Sequence, residues 1–238
     1  MRQTVFSNIL NLMDQELCLL RIFLAIILPN RFSFSVTQLK QDGNRKIPQT
    51  EIMRIISGKH GGRKILPPSK MPFTRPTTDI AKEGLFNILQ NQVDFEEIST
   101  LDLFGGTGAI TYELQSRGAG KSLIVEKDPQ MVLFIKKSLE TLGFGDVHVL
   151  RMEVFDFLGT CQEKFDFIFA GPPYALTNID EIPKTIINRQ MLNPEGLLVL
   201  EHTPRNRYEN YPGFVKQRNY GTTIFSFFEL PEIEKENE

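Results

Sequence analysis

Cysteine is nearly missing from this 238-residue chain; Cys18 and Cys161 stand far apart in unlike surroundings. They form no metal-ligand spacing and no disulfide framework, which points to a reducing, cytoplasmic compartment. Histidine is as sparse. His60, His148 and His202 are isolated from one another and from the cysteines, so no zinc site is expected. The chain also lacks a long apolar run. The longest, Leu17–Leu28, is 12 residues broken by Arg21, against the roughly 20 that span a bilayer. Asp14 and Glu16 stand where a signal peptide would be positive, and no small-residue cleavage site follows. There is no bulk excess of charge either, since the net charge is −2. Internal repeats and low-complexity segments are absent. What remains is 41% hydrophobic and 24% charged residues, ordinary for a soluble globular protein of one large domain or two small ones.

The text changes character at Met53. Residues 1–52 hold the apolar run and then QLKQDGNRKIPQ, which has neither helical nor strand periodicity. Met53 is the expected natural start, with residues 1–52 an upstream extension from a mis-assigned start codon. An amphipathic N-terminal helix packed on the domain is the alternative, and mass spectrometry of the native N-terminus separates the two. From Met53, MRIISGKHGGRKILPP reads as a strand, a Gly-rich turn at Gly58–Gly62 and a second strand ending at Pro67-Pro68. The expected units are a basic hairpin arm at 53–72, a main domain at 73–230 and an acidic tail at 231–238.

From Thr77 strands and helices alternate. Thr77 or Thr78 can cap a helix through Leu89, with Ile80, Leu85, Ile88 and Leu89 on one side. Strands follow at Ile98–Phe104, Ser122–Glu126, Val147–Leu150, Phe165–Ala170 and Gly196–Glu201. Helices are expected at Ala109 to about Arg117, Gln130–Leu142 ending at Gly143, and Ile179–Gln190. Gly213–Gln217 and Thr222–Leu230, joined by Arg-Asn-Tyr-Gly, read as a closing β-hairpin. The expected fold is α/β: a doubly wound, mostly parallel sheet with an antiparallel C-terminal hairpin strand and a small N-terminal β-hairpin arm.

LDLFGGTGAI at 101–110 runs from a buried strand through a glycine loop into a helix, so backbone amides can approach a ligand closely. The dinucleotide fingerprint would need its third glycine at Thr111, which weakens that reading. Asp102 at the strand end repels pyrophosphate but suits an ammonium group. Eighteen residues after Gly108 the next strand ends in Glu126, placed to accept hydrogen bonds from both ribose hydroxyls. Glu153, with Val154 beside it, follows the third strand and suits an adenine amino group. Together these fit S-adenosylmethionine better than a dinucleotide; a tight turn with solvated acids is the plainer alternative.

Strand four, FDFIFA, runs into Gly171-Pro172-Pro173-Tyr174. Two prolines lock the turn and present carbonyls without their own amide donors. Tyr174 adds an aromatic face. The set suits an exocyclic amine on a flipped base, which would stack on the ring and donate to the carbonyls. A purely structural turn is the alternative. Upstream, residues 54–75 carry Arg54, Lys59, Arg63, Lys64, Lys70 and Arg75 and no acid. This is a local footprint for a phosphate backbone, or else a solvated charged face. Arg75, before Pro76 and the helix cap, is the best single candidate for positioning substrate or closing over the cofactor.

These segments in combination resemble the RsmD family of bacterial 16S rRNA guanine-N2 methyltransferases. The matching stretches are residues 53–66, TRPTTDIAKEGLFNIL at 74–89, LDLFGGTG at 101–108, VEKD at 125–128 and FDFIFAGPPYAL at 165–176. The resemblance implies a class I methyltransferase Rossmann-like sheet, S-adenosyl-L-methionine as donor, and 16S rRNA or a 30S assembly particle as partner. It implies a cofactor site of Asp102, Phe104, Gly105, Gly106, Gly108, Glu126, Lys127, Glu153 and Val154. The catalytic turn would be Gly171, Pro172, Pro173 and Tyr174, and a monomer is expected. The chain departs from the family at one point: the motif is Asp-Pro-Pro-Tyr, and Gly171 lacks the side chain expected to accept a hydrogen bond from the target amine. Three readings stay open. Carbonyls of Gly171 and Pro172 orient the amine, a water replaces the carboxylate, or the codon is a one-base error. Rival functions are adenine-N6 or protein-glutamine methylation, and a catalytically weakened cofactor-binding protein of rRNA assembly.

Overall fold

Four parallel strands with hydrophobic residues buried on both faces form the centre of the described domain. The computed structural model describes residues 52–68 and 79–231. The expected extension, the Thr77/Thr78 cap, Lys70, Arg75 and nearly all of the acidic tail therefore lie outside the described residues. The arm comprises β1 (Met53–Arg54) and β2 (Lys64–Ile65), paired antiparallel. The remaining strands are β3 (Thr100–Leu103), β4 (Ser122–Glu126), β5 (Val147–Arg151), β6 (Phe165–Ala170), β7 (Leu192–His202), β8 (Phe214–Tyr220) and β9 (Thr223–Glu229). They form one sheet in the order β5-β4-β3-β6-β7-β9-β8. The first five run parallel, and β9 lies antiparallel between β7 and β8.

The helices are α1 (Asp79–Leu89), α2 (Ala109–Ser116), α3 (Pro129–Leu142), α4 (Val154–Thr160) and α5 (Glu181–Asn188). Strand alternation divides the core. Leu101, Leu103, Ile168, Leu198 and Leu200 face α4 and α5. Phe167, Phe169, Leu197 and Val199 face α1 and α2, packed with Phe225 and Phe227 of β9. A third cluster joins Met53 and Ile55 of the arm to Tyr112 of α2, Ile124 of β4 and Ile135 of α3. The chain leaves β3 for β4 on one side and returns to β6 on the other. That reversal opens a crevice at the carboxyl ends of β3 and β6.

Several boundaries differ from the sequence expectation. Ile80 is 77% exposed, and Lys82 is buried in its place on α1, where its ammonium donates to the Arg54 carbonyl and lies 3.7 Å from Asp79. Helix α4 was not expected. β7 starts at Leu192, four residues before Gly196, with a register shift opposite Phe165 and Phe167. The hairpin turn is Gly221-Thr222 alone, because Tyr220 pairs with Thr223 and Gly221 takes φ 66°. The Arg-Asn-Tyr part of the expected connection is strand. By contrast α3 ends as expected, with Gly143 left-handed at φ 74°, and begins with Asp128 accepting from the Gln130 amide at 2.7 Å.

Candidate functional site

The loop after β3 alternates left-handed positions: Phe104 at φ 66°, Gly106 at 54° and Gly108 at 78°. Alternation of this kind curves the backbone into a cradle, with the Gly105 and Gly108 amides bonded to the Val125 and Gly105 carbonyls and the Gly106 amide to Glu126. Gly105 lies between them against the sheet, where a Cβ would stand 2.3 Å from Ile124 Cγ2. The Gly105 amide donates to the Val125 carbonyl at 3.0 Å, fixing the loop to β4. Glu126, at the end of β4, is buried; its Oε2 accepts from the Gly106 amide and its Oε1 from the Asp128 amide, each at 2.8 Å. Each oxygen keeps a second lone pair, the acceptor set a vicinal diol needs.

Asp102 is 3% exposed and accepts from Thr111 Oγ1 at 2.8 Å. Thr111, the residue that breaks the dinucleotide fingerprint, is thus the donor that holds this carboxylate. Burial pushes the Asp102 carboxyl up to about 7; the Thr111 bond opposes the rise and the Glu126 charge adds to it. Two buried acids beside an amide-lined loop favour a cationic ligand and disfavour pyrophosphate. That donor set fits a molecule carrying an ammonium group, a sulfonium and a ribose diol. Glu153 caps α4, accepting from the Phe155 amide at 2.8 Å, and its other oxygen lies 3.9 Å from the exposed Lys127 ammonium. Val154 is buried in the core under α4.

The Gly171–Tyr174 turn stands beside this loop. The Gly171 amide donates to the Leu103 carbonyl at 3.3 Å, tying the end of β6 to the end of β3. Pro172 is buried, and the Leu176 amide closes the turn on the Pro173 carbonyl at 2.9 Å. Tyr174 is 39% exposed, with its hydroxyl 3.2 Å from Thr223 Oγ1 on β9. A second tether thus fixes where its ring stands. Sequence reasoning missed Glu201 at the end of β7. It is 7% exposed, and its Oε2 lies 3.8 Å from where a Cβ on Gly171 would be. The signal was there: LLVLE at 197–201 ends an apolar strand in an acid, as SLIVE at 122–126 does.

Arg54, Lys59, Arg63 and Lys64 are all exposed on the arm, and none is in an ion pair among the described residues. The arm is fixed to α2. Glu113 accepts from the Ile56 amide at 2.7 Å and the Ser57 amide at 3.0 Å, and its Oε1 also takes the Arg117 guanidinium at 2.9 Å. The Lys59 amide donates to the Ser116 carbonyl, and the His60 amide to Ser116 Oγ at 2.9 Å. Gly58 permits this approach: its φ is 77°, and a Cβ there would stand 1.8 Å from the Ser116 carbonyl oxygen. Thr107 Oγ1, inside the glycine loop, is 3.3 Å from Met53 Sδ, so the cationic arm and the loop share a foundation. Burial, then the charges of Arg63 and Lys59, lower the basicity of His60. Among the described residues no His, Cys, Asp and Glu group could hold a metal, and no helix is long and apolar enough to cross a membrane.

The strand order, the switch-point crevice and the carboxylate-flanked loop define a class I methyltransferase fold. In structure the chain is similar to a candidate methyltransferase, yhhF, of Escherichia coli, with TM-score 0.66 and 26% identity, covering 76% of this chain and 98% of that one. In sequence it is 32% identical over 149 residues to the ribosomal RNA small subunit methyltransferase D of Buchnera aphidicola subsp. Baizongia pistaciae, 63% of this chain and 75% of the relative. The Escherichia coli K12 protein of the same name is 31% identical over 160 residues, 67% of this chain and 79% of the relative. The family described as "Conserved hypothetical protein 95" matches residues 53–229. The chain belongs to this family, the RsmD methyltransferases.

Proposed function

We propose that this protein transfers a methyl group from S-adenosyl-L-methionine to the exocyclic N2 of a guanine in 16S rRNA, in the cytoplasm, during small-subunit assembly. The observation that carries the reading is the Gly171–Leu103 hydrogen bond, which sets the Pro-Pro-Tyr turn against the glycine loop. A base held at the turn is then next to a donor held in the loop. The names of the relatives support rRNA as the substrate class.

S-adenosyl-L-methionine supplies an electrophilic methyl group. The chain's own residues bind and orient. Asp102 takes the ammonium, the glycine loop shapes the floor under the methionine part, Glu126 takes the ribose diol, and Glu153 takes the adenine amine. Tyr174 stacks the guanine, and the Pro172 carbonyl accepts from its amine. Aligning a weakly nucleophilic amine is the main task, because its lone pair is delocalised into the ring. Arg54, Lys59, Arg63 and Lys64 engage phosphates, and Arg75 positions the RNA. Labelled methyl incorporation into 30S particles, free rRNA and DNA tests the reading. Labelling of 30S particles or rRNA is expected, and exclusive labelling of DNA overturns it.

A further inference from the structure

We propose that Glu201 supplies the carboxylate that the Pro-Pro-Tyr turn lacks at Gly171, and that it accepts the hydrogen bond of the target amine. The inference rests on the amine-methylation reading above. Ala170 pairs with Leu200 in the parallel β6–β7 ladder, so Gly171 and Glu201 are the next residues along on neighbouring strands. Alternation places Glu201 on the face of Val199 and Phe169, the face that Asp102 also uses. Its Oε2 lies 3.8 Å from the Cβ position of residue 171, in the space that an acid side chain at 171 would enter. That Cβ would itself stand 2.9 Å from Phe169 Cε1, a buried ring. The local packing therefore favours glycine at 171 and a carboxylate reaching in from β7. Two acids so close would repel, so a second carboxyl at 171 would hold its proton more tightly than an isolated one.

The chemistry balances on this residue. The amine lone pair forms the new N–C bond as the S–C bond breaks, and the electrons of that bond stay on sulfur as a neutral thioether. The amine thereby loses one proton, which passes to the Glu201 carboxylate and on to water. A negative acceptor on the N–H raises electron density at nitrogen as the bond forms. Loss of one preorganised polar contact of this kind lowers kcat by about 10²–10³.

Glu201→Gln, which keeps the shape, tests this in the full chain with 30S particles as substrate. Expected are a fall in kcat of about 10²–10³, unchanged affinity for S-adenosylhomocysteine, an unchanged thermal midpoint, and loss of the acid limb of the pH–rate profile. Retained wild-type kcat overturns the inference while leaving the methyltransferase reading intact. A fall in kcat accompanied by lost S-adenosylhomocysteine affinity or a lowered midpoint overturns it in favour of a structural role. Gly171→Asp in the otherwise wild-type chain is expected to bring no gain, and a tenfold or larger gain overturns the inference by showing that the acceptor was missing. A wild-type chain that methylates no nucleic acid overturns the substrate reading and this inference together.

Discussion

Glu113→Ala will loosen the basic arm on the domain. Glu113 is fully buried, and its carboxylate holds two arm amides, Ile56 and Ser57, and the Arg117 guanidinium. The alanine leaves a largely buried cation and two amides without their acceptor. Removing one member of a buried ion pair costs about 3–5 kcal/mol. In a domain of this size each kcal/mol shifts the thermal midpoint by about 2–4 °C, so a fall of roughly 6–20 °C is expected. Part of the loss is offset because Arg117 also lies over the Phe86 and Phe95 rings, at 4.8 Å and 5.6 Å. Thermal unfolding gives the magnitude, and hydrogen exchange at the Ile56 and Ser57 amides gives the location. Binding to 30S particles will weaken as well, because the arm cations lose their fixed position. A loss under about 1 kcal/mol, as for a surface pair, with protection at both amides unchanged, would refute the reasoning. The arm would then be held mainly by Met53 and Ile55 packing and by its hydrogen bonds to Ser116 and Lys82.

Two further outcomes follow from the site. The Asp102 carboxyl stands at about 7 in the fold against 3.8, so in that window the folded chain binds the extra proton. Its contribution to stability is fully present below pH 3.8 and is lost as pH rises through about 7, a change of roughly 4 kcal/mol. Denaturant melts across this range will show a decline that Asp102→Asn removes, and a slope unchanged by the variant contradicts it. The Lys59→Ala/Arg63→Ala pair will weaken RNA binding evenly across sequences and lower the salt slope by about 2. A change confined to particular bases contradicts a phosphate-contact role.

Legibility in the sequence followed local signal. Ser122–Glu126 and Phe165–Ala170 were readable to the residue, because doubly buried parallel strands give short, mostly apolar runs, here ended by an acid or followed by a glycine. Helix α4 was not, since seven residues are too few for a helical period to register. Its cap, Glu153, also resembled a ligand residue more than a helix start. Lys82 escaped because lysine is rarely buried without a partner; its partner, the Arg54 carbonyl, lies 28 residues earlier. The same distance problem hid Glu113, whose arm partners lie 56 and 57 residues away. Gly171 was visible as a missing side chain, but the neighbouring-strand acid that faces it could be found only from the pairing of β6 with β7.

The most direct measurement of the central claim is nucleoside mass spectrometry of 16S rRNA from unmodified 30S particles after incubation with the wild-type chain and S-adenosyl-L-methionine. The account predicts one new N2-methylguanosine per particle. N6-methyladenosine in its place, or methyl groups found only on protein, would contradict it.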